Sequence, residues 1–573
     1  MKIRLKQLTI YNYRNLSGKM FKFNHDINFI IGENNIGKTN VLDLLNIIFN
    51  RREFEEEDFF DKDEPLEVKA KLKIEDGEIG IFDDYFAFGE DKTIINILIK
   101  QETIEDNIKY YEERTGDEIY RTAIKSSHFI SYGSVRNPNK ELNFNGKNNF
   151  LNELMKKVLV QQENFEVLNE DAVDQLLYSI NYYIHKLDTF NLFNITAGTG
   201  ESINNMLGRL IQLLAEEKYE LNELGEGTQF LNSIPLVLLN QISNIFNNKK
   251  QNAIIEVEGR KTLNVIISID EPELHLHPHS QRYFIHYIKS ILNNEDKNFN
   301  ELLNFLFGID AIQGQLFIIT HSPFILDNDY KQIIRVYRNL SEEVLVKNGL
   351  DIDIGKSLEK HLYRFFNELK EAFYAKKVLV VEGETEIGAV NPLFEREGIN
   401  PNKEGISVLN SHGVERVPQL MKLFENFGVK VVGIIDKDNG NIDNEPRYQG
   451  IKGLFQTTLT EFEDDIVECY NFDKYIDFYE AKDVCLISRV MGVAKKFNID
   501  LNPTTSSDFI EQLRRLEDEK KNLIFAEVKE NFIRDLKSDG NKGVVNGMLV
   551  AEHALVTPDC FKAAFQDLVK SDE

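Results

Sequence analysis

Cysteine is scarce in this chain: three among 573 residues, Cys469, Cys485 and Cys560. None stands at CxxC spacing, which excludes a disulfide framework and a cysteine-based structural zinc and fits a reducing, cytoplasmic setting. Long apolar runs are also missing. No stretch approaches the roughly 18 residues needed to cross a bilayer, so no membrane partner is expected. The first residues, Met1-Lys2-Ile3-Arg4-Leu5-Lys6, alternate charged and apolar side chains, the pattern of a strand rather than of a signal peptide. A basic excess is absent too, since the formal net charge is −27. A protein that only coats nucleic acid needs positive charge to neutralise phosphates. The acidic balance therefore counts against a simple DNA-coating module, but less against an enzyme whose metal site needs clustered carboxylates. Part of the excess is the run Glu53 to Glu64, which reads as a solvated loop. Finally, no sustained heptad repeat fills the stretch from Thr39 to Leu224, which argues against a long coiled-coil arm.

What is present is an ordinary globular composition, 42% hydrophobic and 28% charged. At this length two or more cores are expected. Residues 1–31 and 66–100 read as strands. From about Phe150 to Leu224 the apolar period is helical, with Ile203, Met206, Leu207, Leu210 and Leu214 on one face. That predicts a compact helical insertion at about 150–222, suited to dimerisation. Strands are expected at 263–269 and 316–320, a helix from about Ser280 and a hairpin near 333–347. An amphipathic stretch from Ser357 to Lys377 leads into a second strand–helix alternation beginning at Val378. A boundary near 370 then separates two domains, 1–370 and 371–573.

Gly32-Glu33-Asn34-Asn35-Ile36-Gly37-Lys38-Thr39 matches G-x-x-x-x-G-K-[ST]. An apolar strand, Ile27 to Ile31, precedes it and a helix, Val41 to Phe49, follows. That setting is what phosphate binding needs. Backbone amides of the loop, those of Gly32, Asn35 and Gly37 among them, and of the helix N-terminus cradle the phosphates. Lys38 reaches the terminal phosphate oxygens and Thr39 ligates Mg²⁺. The partner element, Val265-Ile266-Ile267-Ser268-Ile269-Asp270-Glu271, is an apolar strand ending in two acids. It places Asp270 on the Mg²⁺ side and Glu271 as base for the attacking water. His275, His277 and His279 admit a zinc reading, but no Cys or carboxylate completes a set at ligand spacing.

Asp270-Glu271-Pro272-Glu273, the Leu276-His277-Pro278 tail and Thr320-His321-Ser322-Pro323 resemble the Walker B, D-loop and switch histidine of ABC-type ATPases. The resemblance implies that His321 senses the γ-phosphate of ATP. Leu224-Gly225-Glu226-Gly227-Thr228-Gln229 resembles the ABC signature, in which Gly227 and Thr228 would meet the nucleotide of a neighbouring protomer. A homodimer or higher homo-oligomer follows from it. The usual serine is missing, and Glu226 brings negative charge toward that phosphate. Tyr13-Arg14-Asn15-Leu16 resembles an N-terminal element of the same clan and makes Arg14 a phosphate contact; Arg136 is a lesser candidate of that type.

A second constellation lies downstream. Val378-Leu379-Val380-Val381-Glu382-Gly383-Glu384-Thr385-Glu386 is an apolar strand ending in an acid-rich turn, and Val431 to Ile435 is another, ending in Asp436-Lys437-Asp438. In a parallel sheet, adjacent strand ends would bring Glu382, Asp436 and Asp438 together. Unit charges about 4 Å apart interact by roughly 4 kcal/mol at an effective dielectric of 20. Such a cluster invites a divalent cation, and hard carboxylates suit Mg²⁺ or Mn²⁺. The bland alternative is a Rossmann-like domain with ordinary acidic loops.

These residues resemble a Toprim domain, of the variety found in the OLD (overcoming lysogenization defect) family, an ABC-type ATPase fused to a C-terminal Toprim nuclease. The resemblance implies metal ligation by Glu382 and Glu386, by Asp436 and Asp438, and by an acid of the run 461–465, such as Glu461 or Glu463. It also implies a late basic residue, Lys542, and sets the chain beside the nuclease subunit of the Gabija anti-phage system, which works with a helicase-like partner.

The expected fold is therefore α/β: an ABC/SMC-like P-loop ATPase head with a helical insertion, then a Toprim domain built on a Rossmann-like parallel sheet. The expected function is an ATP-regulated, metal-dependent DNA endonuclease in which Glu382, Asp436, Lys542 and Glu271 carry the chemistry. The rival is an ATP-gated DNA clamp or repair scaffold without nuclease activity. A primase-like reading lacks a zinc-binding module.

Overall fold

The computed structural model describes residues 2–75, 93–124, 127–132, 150–151, 154, 157–158, 170–187, 195–199, 211–215, 219–220, 223–249, 254–257, 259–274, 276–339, 341–437, 440, 442, 445–448, 450–538 and 542–570. The chain divides into two compact units, residues 1–351 and 352–573.

In the first unit, near-continuous apolar runs form strands buried on both faces, as a parallel sheet requires. β3 (Ile27–Gly32), β7 (His128–Tyr132), β12 (Arg260–Asp270), β13 (Ala311–Ile319) and β14 (Ile333–Arg338) run parallel. Two antiparallel strands, β11 (Ile254–Val257) and β15 (Val344–Asn348), complete seven. Register decides the function of one edge. Asp270 pairs with Ile319 and Ile319 with Ile30, so β12, β13 and β3 end together and release Glu271, Thr320 and the Gly32 loop on the same side.

A second sheet, antiparallel, has the order β2-β1-β4-β5-β6, with β1 at Lys2–Tyr11, β2 at Met20–Lys22, β4 at Leu66–Glu75, β5 at Ile94–Gln101 and β6 at Lys109–Glu112. Its strands alternate. Val68, Ala70, Leu72 and Ile74 are buried against the helix Lys38–Asn50, while Lys69, Lys71 and Lys73 take the other face. The acidic run is not wholly solvated, as its sequence suggests. Asp58 is 2% exposed and Phe54 is in the core, because Asp58 receives the Arg14 guanidinium.

The middle of the unit corrects a helical expectation. A helix covers Glu170–Ile184, but β8 (Ile195–Thr199), β9 (Ile211–Ala215) and β10 (Tyr219–Glu220) form a three-stranded antiparallel sheet. Leu214 is a strand residue paired with Thr196 and Glu220. A short apolar run such as Ile211-Gln212-Leu213-Leu214 suits either period, and cross-strand pairing decided it. Ile203, Met206, Leu207, Leu210 and Arg136 lie outside the described residues.

In the second unit, four parallel strands stand in the order β17-β16-β18-β19, with β16 at Lys377–Val381, β17 at Ile406–Asn410, β18 at Lys430–Ile435 and β19 at Leu454–Gln456. Beyond β19 the described chain is helical, from Phe462–Glu468 to Asp559–Val569. An aromatic cluster around Tyr475, Tyr479 and Phe532 fills the space between these helices. Among the described residues no helix is long and apolar enough to cross a membrane.

Candidate functional site

The first unit carries a cavity of about 590 Å³ at the shared strand edge, lined by Asn15, Gly37, Lys38, Thr39, Glu271 and His321 among others. The loop turns because three of its residues have positive φ: Gly32 (150°), Asn35 (58°) and Gly37 (96°). A Cβ on Gly32 would lie 2.0 Å from the Val336 carbonyl oxygen, and one on Gly37 would lie 2.5 Å from the Asn15 amide. Glycine is thus required twice for space as well as for conformation.

The Lys38 ammonium donates to the carbonyl oxygens of Gly32 (3.0 Å) and Glu33 (2.5 Å). Burial lowers its pKa against the raising pull of Glu271 and Asp270. Across the cavity mouth the Thr39 hydroxyl donates to Asp270 Oδ2 at 3.4 Å. Burial, then Glu271, raises Asp270. Both shifts come first from burial, and a bound Mg²⁺–triphosphate would set a cation beside the acid and anionic oxygens beside the amine.

Glu271 sits at φ 48°, a left-handed conformation rare outside glycine, and its N–H donates to the Ile319 carbonyl. His321 Nε2 lies 3.6 Å from Glu271 Oε1. Burial, then Lys38, lowers the His321 pKa, which keeps the imidazole neutral and able to accept or donate.

Two residues of the quoted motifs had no role assigned from the sequence. The Glu273 carboxylate accepts from the His321 N–H (2.5 Å) and the Thr320 hydroxyl (2.9 Å), anchoring the turn that aims the histidine. Asn15 donates to the Ile36 carbonyl (2.8 Å) and accepts from Asn40 (2.8 Å), bracing the loop. Arg14, by contrast, is drawn toward Asp58 (2.8 Å), Asp43 (2.8 Å) and Asn40 (2.7 Å). Gly227 and Thr228 open the helix Glu226–Lys249 and do not line the cavity. His277 accepts from the His279 N–H at 3.4 Å, a helix cap, and His275 lies outside the described residues.

In the second unit, β16 and β18 are adjacent and parallel, so Glu382 and Asp436 leave the sheet side by side. The Asp436 N–H donates to Glu382 Oε2 (3.3 Å), and Asp436 Oδ1 accepts from the Phe462 N–H (3.0 Å) at the start of the helix Phe462–Glu468. Glu386 lies in the first turn of the helix Glu384–Arg396 and is 7% exposed. Its carboxyl is pushed up to about 7, by burial first and then by Glu463 and Glu382. Burial also raises Glu463, which is 4% exposed.

The acids of 461–465 therefore differ in employment. Asp465 accepts from the N–H groups of Thr458 and Leu459, both at 2.7 Å. Glu461 caps its helix and faces Lys537 (3.4 Å) and Lys542 (3.6 Å). Glu463 is the one whose charge Glu386 feels most. Burial alone would lower Lys542, but Glu463, Glu461 and Asp436 outweigh it and raise its pKa. Asp438 lies outside the described residues, and among the described residues no three His, Cys, Asp or Glu side chains stand in ligating geometry. The donor chemistry fits a hard divalent ion all the same: burial raises both Glu386 and Glu463, and oxygen donors of this kind suit such an ion.

Lys542 is brought here by two glycines. A Cβ on Gly388 would fall 1.9 Å from the Val544 carbonyl oxygen, and one on Gly547 would fall 1.9 Å from that of Thr385. The helices Glu384–Arg396 and Val544–His553 thus touch backbone to backbone. Gly547→Ala should force them apart and lower stability by about 1–3 kcal/mol. An unchanged melting temperature would disprove that packing.

Both units resemble known protein families. Residues 1–254 and 176–326 match the family model described as AAA ATPase domain. Residues 373–438 match the model described as overcoming lysogenization defect protein-like, TOPRIM domain. Similar curated proteins are the OLD nuclease of Thermus scotoductus (27% identical, covering 32% of this chain and 33% of that one) and endonuclease GajA of Bacillus cereus (24%, 48% and 40%). The Old nuclease of Escherichia phage P2 is 25% identical over 38% of this chain and 34% of its own. The match thus spans only about a third to two fifths of the length of these relatives.

Proposed function

From the premise that the chain belongs to the AAA ATPase domain family over more than half its length and continues into an OLD-like TOPRIM domain, we propose that it is an ATP-regulated, divalent-metal-dependent DNA endonuclease. The observation that carries the reading is the juxtaposition of Glu382 and Asp436 at adjacent parallel strand ends, with Glu386, Glu463 and Lys542 beside them. Glu382, Glu386, Asp436 and Glu463 would hold Mg²⁺ or Mn²⁺, with Asp438 and Glu461 as further donors. Bound there, the ion would activate water and stabilise the leaving oxygen in phosphodiester hydrolysis. Lys542 contributes charge toward the phosphate as negative charge builds on it. Asp436, tied by its amide to Glu382 and by its carboxylate to the Phe462 N–H, keeps the two strand ends in register.

In the ATPase unit, Lys38 and the loop amides bind phosphates, Thr39 and Asp270 would hold Mg²⁺, Glu271 orients water and His321 senses the terminal phosphate. Gly227 and Thr228, away from their own cavity, serve a second copy, so the working form is a homodimer or larger. The cellular setting we infer is cytoplasmic anti-phage defence, alongside a helicase-like partner.

The test is direct. Purified protein should nick or cut supercoiled plasmid with added Mg²⁺ or Mn²⁺, lose that activity in EDTA, and regain it on re-addition of metal. Full cleavage in EDTA would end the metal-dependent reading and leave the DNA-clamp alternative.

A further inference from the structure

The outer face of the antiparallel sheet in the first unit carries an open depression of about 330 Å³, lined by none of the residues of the nucleotide loop. Lys6, Lys22, Lys71, Lys73 and His25 line it, over a floor that includes Phe23, Ile94 and Leu350. In a chain of net charge −27, four lysines around one hollow run against the average field.

The backbone itself builds this cluster. The register of β1 on β4 runs Leu5↔Leu72 and then Gln7↔Lys71, so Lys6 is the extra residue of a bulge. A bulge re-aims a side chain; here it adds Lys6 to the face that carries Lys71 and Lys73. Gln7 also pairs with Lys22 on β2, which sets Lys22, Gln7 and Lys71 in one row across three strands. Lys71 and Lys73, two residues apart on one strand, have Cα atoms roughly 6.8 Å apart. Among the described residues Asp351 pairs with Lys22, and Asp26 lies 3.0 Å from the His25 imidazole.

We propose that this hollow is a seat for the phosphodiester backbone of duplex DNA, formed by Lys6, Lys22, Lys71 and Lys73. The proposal rests on the reading of the protein as one that acts on DNA. The position favours a polymer over a small anion, because the depression opens on a sheet face. Its charges are spread along a strand and across a row instead of converging on one point. The lining is mainly aliphatic stems, which carry the lysine ammonium groups at their ends, with Gln7 and Asn24 as the amide side chains. Such a surface positions a backbone without reading bases. It would give an acidic protein local affinity for a polyanion that its total charge repels.

The experiment is fluorescence anisotropy of a labelled duplex of about 30 base pairs, long enough for several phosphate contacts, across a salt series and in EDTA so that no cleavage intervenes. The double variant Lys71→Gln/Lys73→Gln should bind about tenfold more weakly, and its log–log salt slope should fall by about 2, close to 0.9 for each phosphate that is no longer neutralised. Asp351→Asn, which releases Lys22 from its acid, should bind more tightly than the parent, a change that a folding defect does not imitate. ATP turnover without DNA should be the parental rate in both variants. Parental affinity and slope in the double variant would overturn the seat, and so would full displacement of duplex from the parent by millimolar inorganic phosphate. Plasmid cleavage is scored separately. Loss of the seat with cutting intact, or loss of cutting with the seat intact, identifies which reading has failed.

Discussion

Replacing Glu382 by alanine is expected to reduce plasmid cleavage by about a thousandfold or more while ATP hydrolysis continues at the parental rate. The size follows from the several kcal/mol of transition-state charge stabilisation that a metal site supplies, each ~1.36 kcal/mol being tenfold in rate. Glu382 stands at the centre of the group: its carboxylate accepts the Asp436 N–H, and its backbone carbonyl accepts from the Gly413 N–H (3.1 Å) and the Ser411 hydroxyl (3.3 Å). The two backbone anchors survive the substitution, so the strand end should keep its place while a ligand is lost. Removing one carboxylate should also let the Glu386 pKa fall, since Glu382 is among the groups that raise it. ATP turnover is spared because the nucleotide cavity belongs to the other unit. Cleavage at the parental rate in a contaminant-free preparation would refute the nuclease reading.

Lys38→Ala should weaken nucleotide binding about tenfold or more and cut ATP hydrolysis by at least about a hundredfold, the range seen when a preorganised charge donor is removed from a transition state. In the structure the ammonium is held by the carbonyl oxygens of Gly32 and Glu33, and burial lowers its pKa. It is therefore pre-placed at the loop and gains a stronger partner in an anionic phosphate. The fold should survive, because the loop is also braced by Asn15 through Ile36 and Asn40. Metal-dependent cleavage should persist but stop responding to ATP, and any ATP-dependent rise in native mass toward a dimer should vanish. Titration calorimetry and phosphate release measure the first two effects. Unchanged nucleotide affinity would remove the assignment.

Much of this was legible because its signals are local. The Gly32–Thr39 loop needs a strand before it and a helix after it, and both follow from consecutive apolar residues and their change of period. The strand ends at Asp270, Glu382 and Asp436 were readable for the same reason: an apolar run that stops at an acid leaves the sheet there. The hairpin near 333–347 and the helix after Pro278 also followed from short-range pattern. The middle of the first unit was not legible. Ile211 to Ala215 is too short for its period to separate helix from strand, and the partners that made it a strand lie elsewhere in the chain. The helices after β19 were missed because no single motif marks them; their order comes from an aromatic core assembled from several segments.

The sequence alone determined that this chain has a phosphate loop with a paired acidic strand, and a second acidic site on a parallel sheet. Only tertiary structure decided which side chains share those sites. It separated Glu463 from Asp465, whose two oxygens are taken up by the Thr458 and Leu459 amides. It turned Arg14 toward Asp43 and Asp58, showed Glu273 anchoring the His321 turn, and let Gly388 and Gly547 bring Lys542 to Glu463. The physical reason is range. Backbone conformation is set by neighbours a few residues away, whereas the pairing of a charge is a competition among all groups that the packed core brings within reach, and the sequence does not order that competition by position.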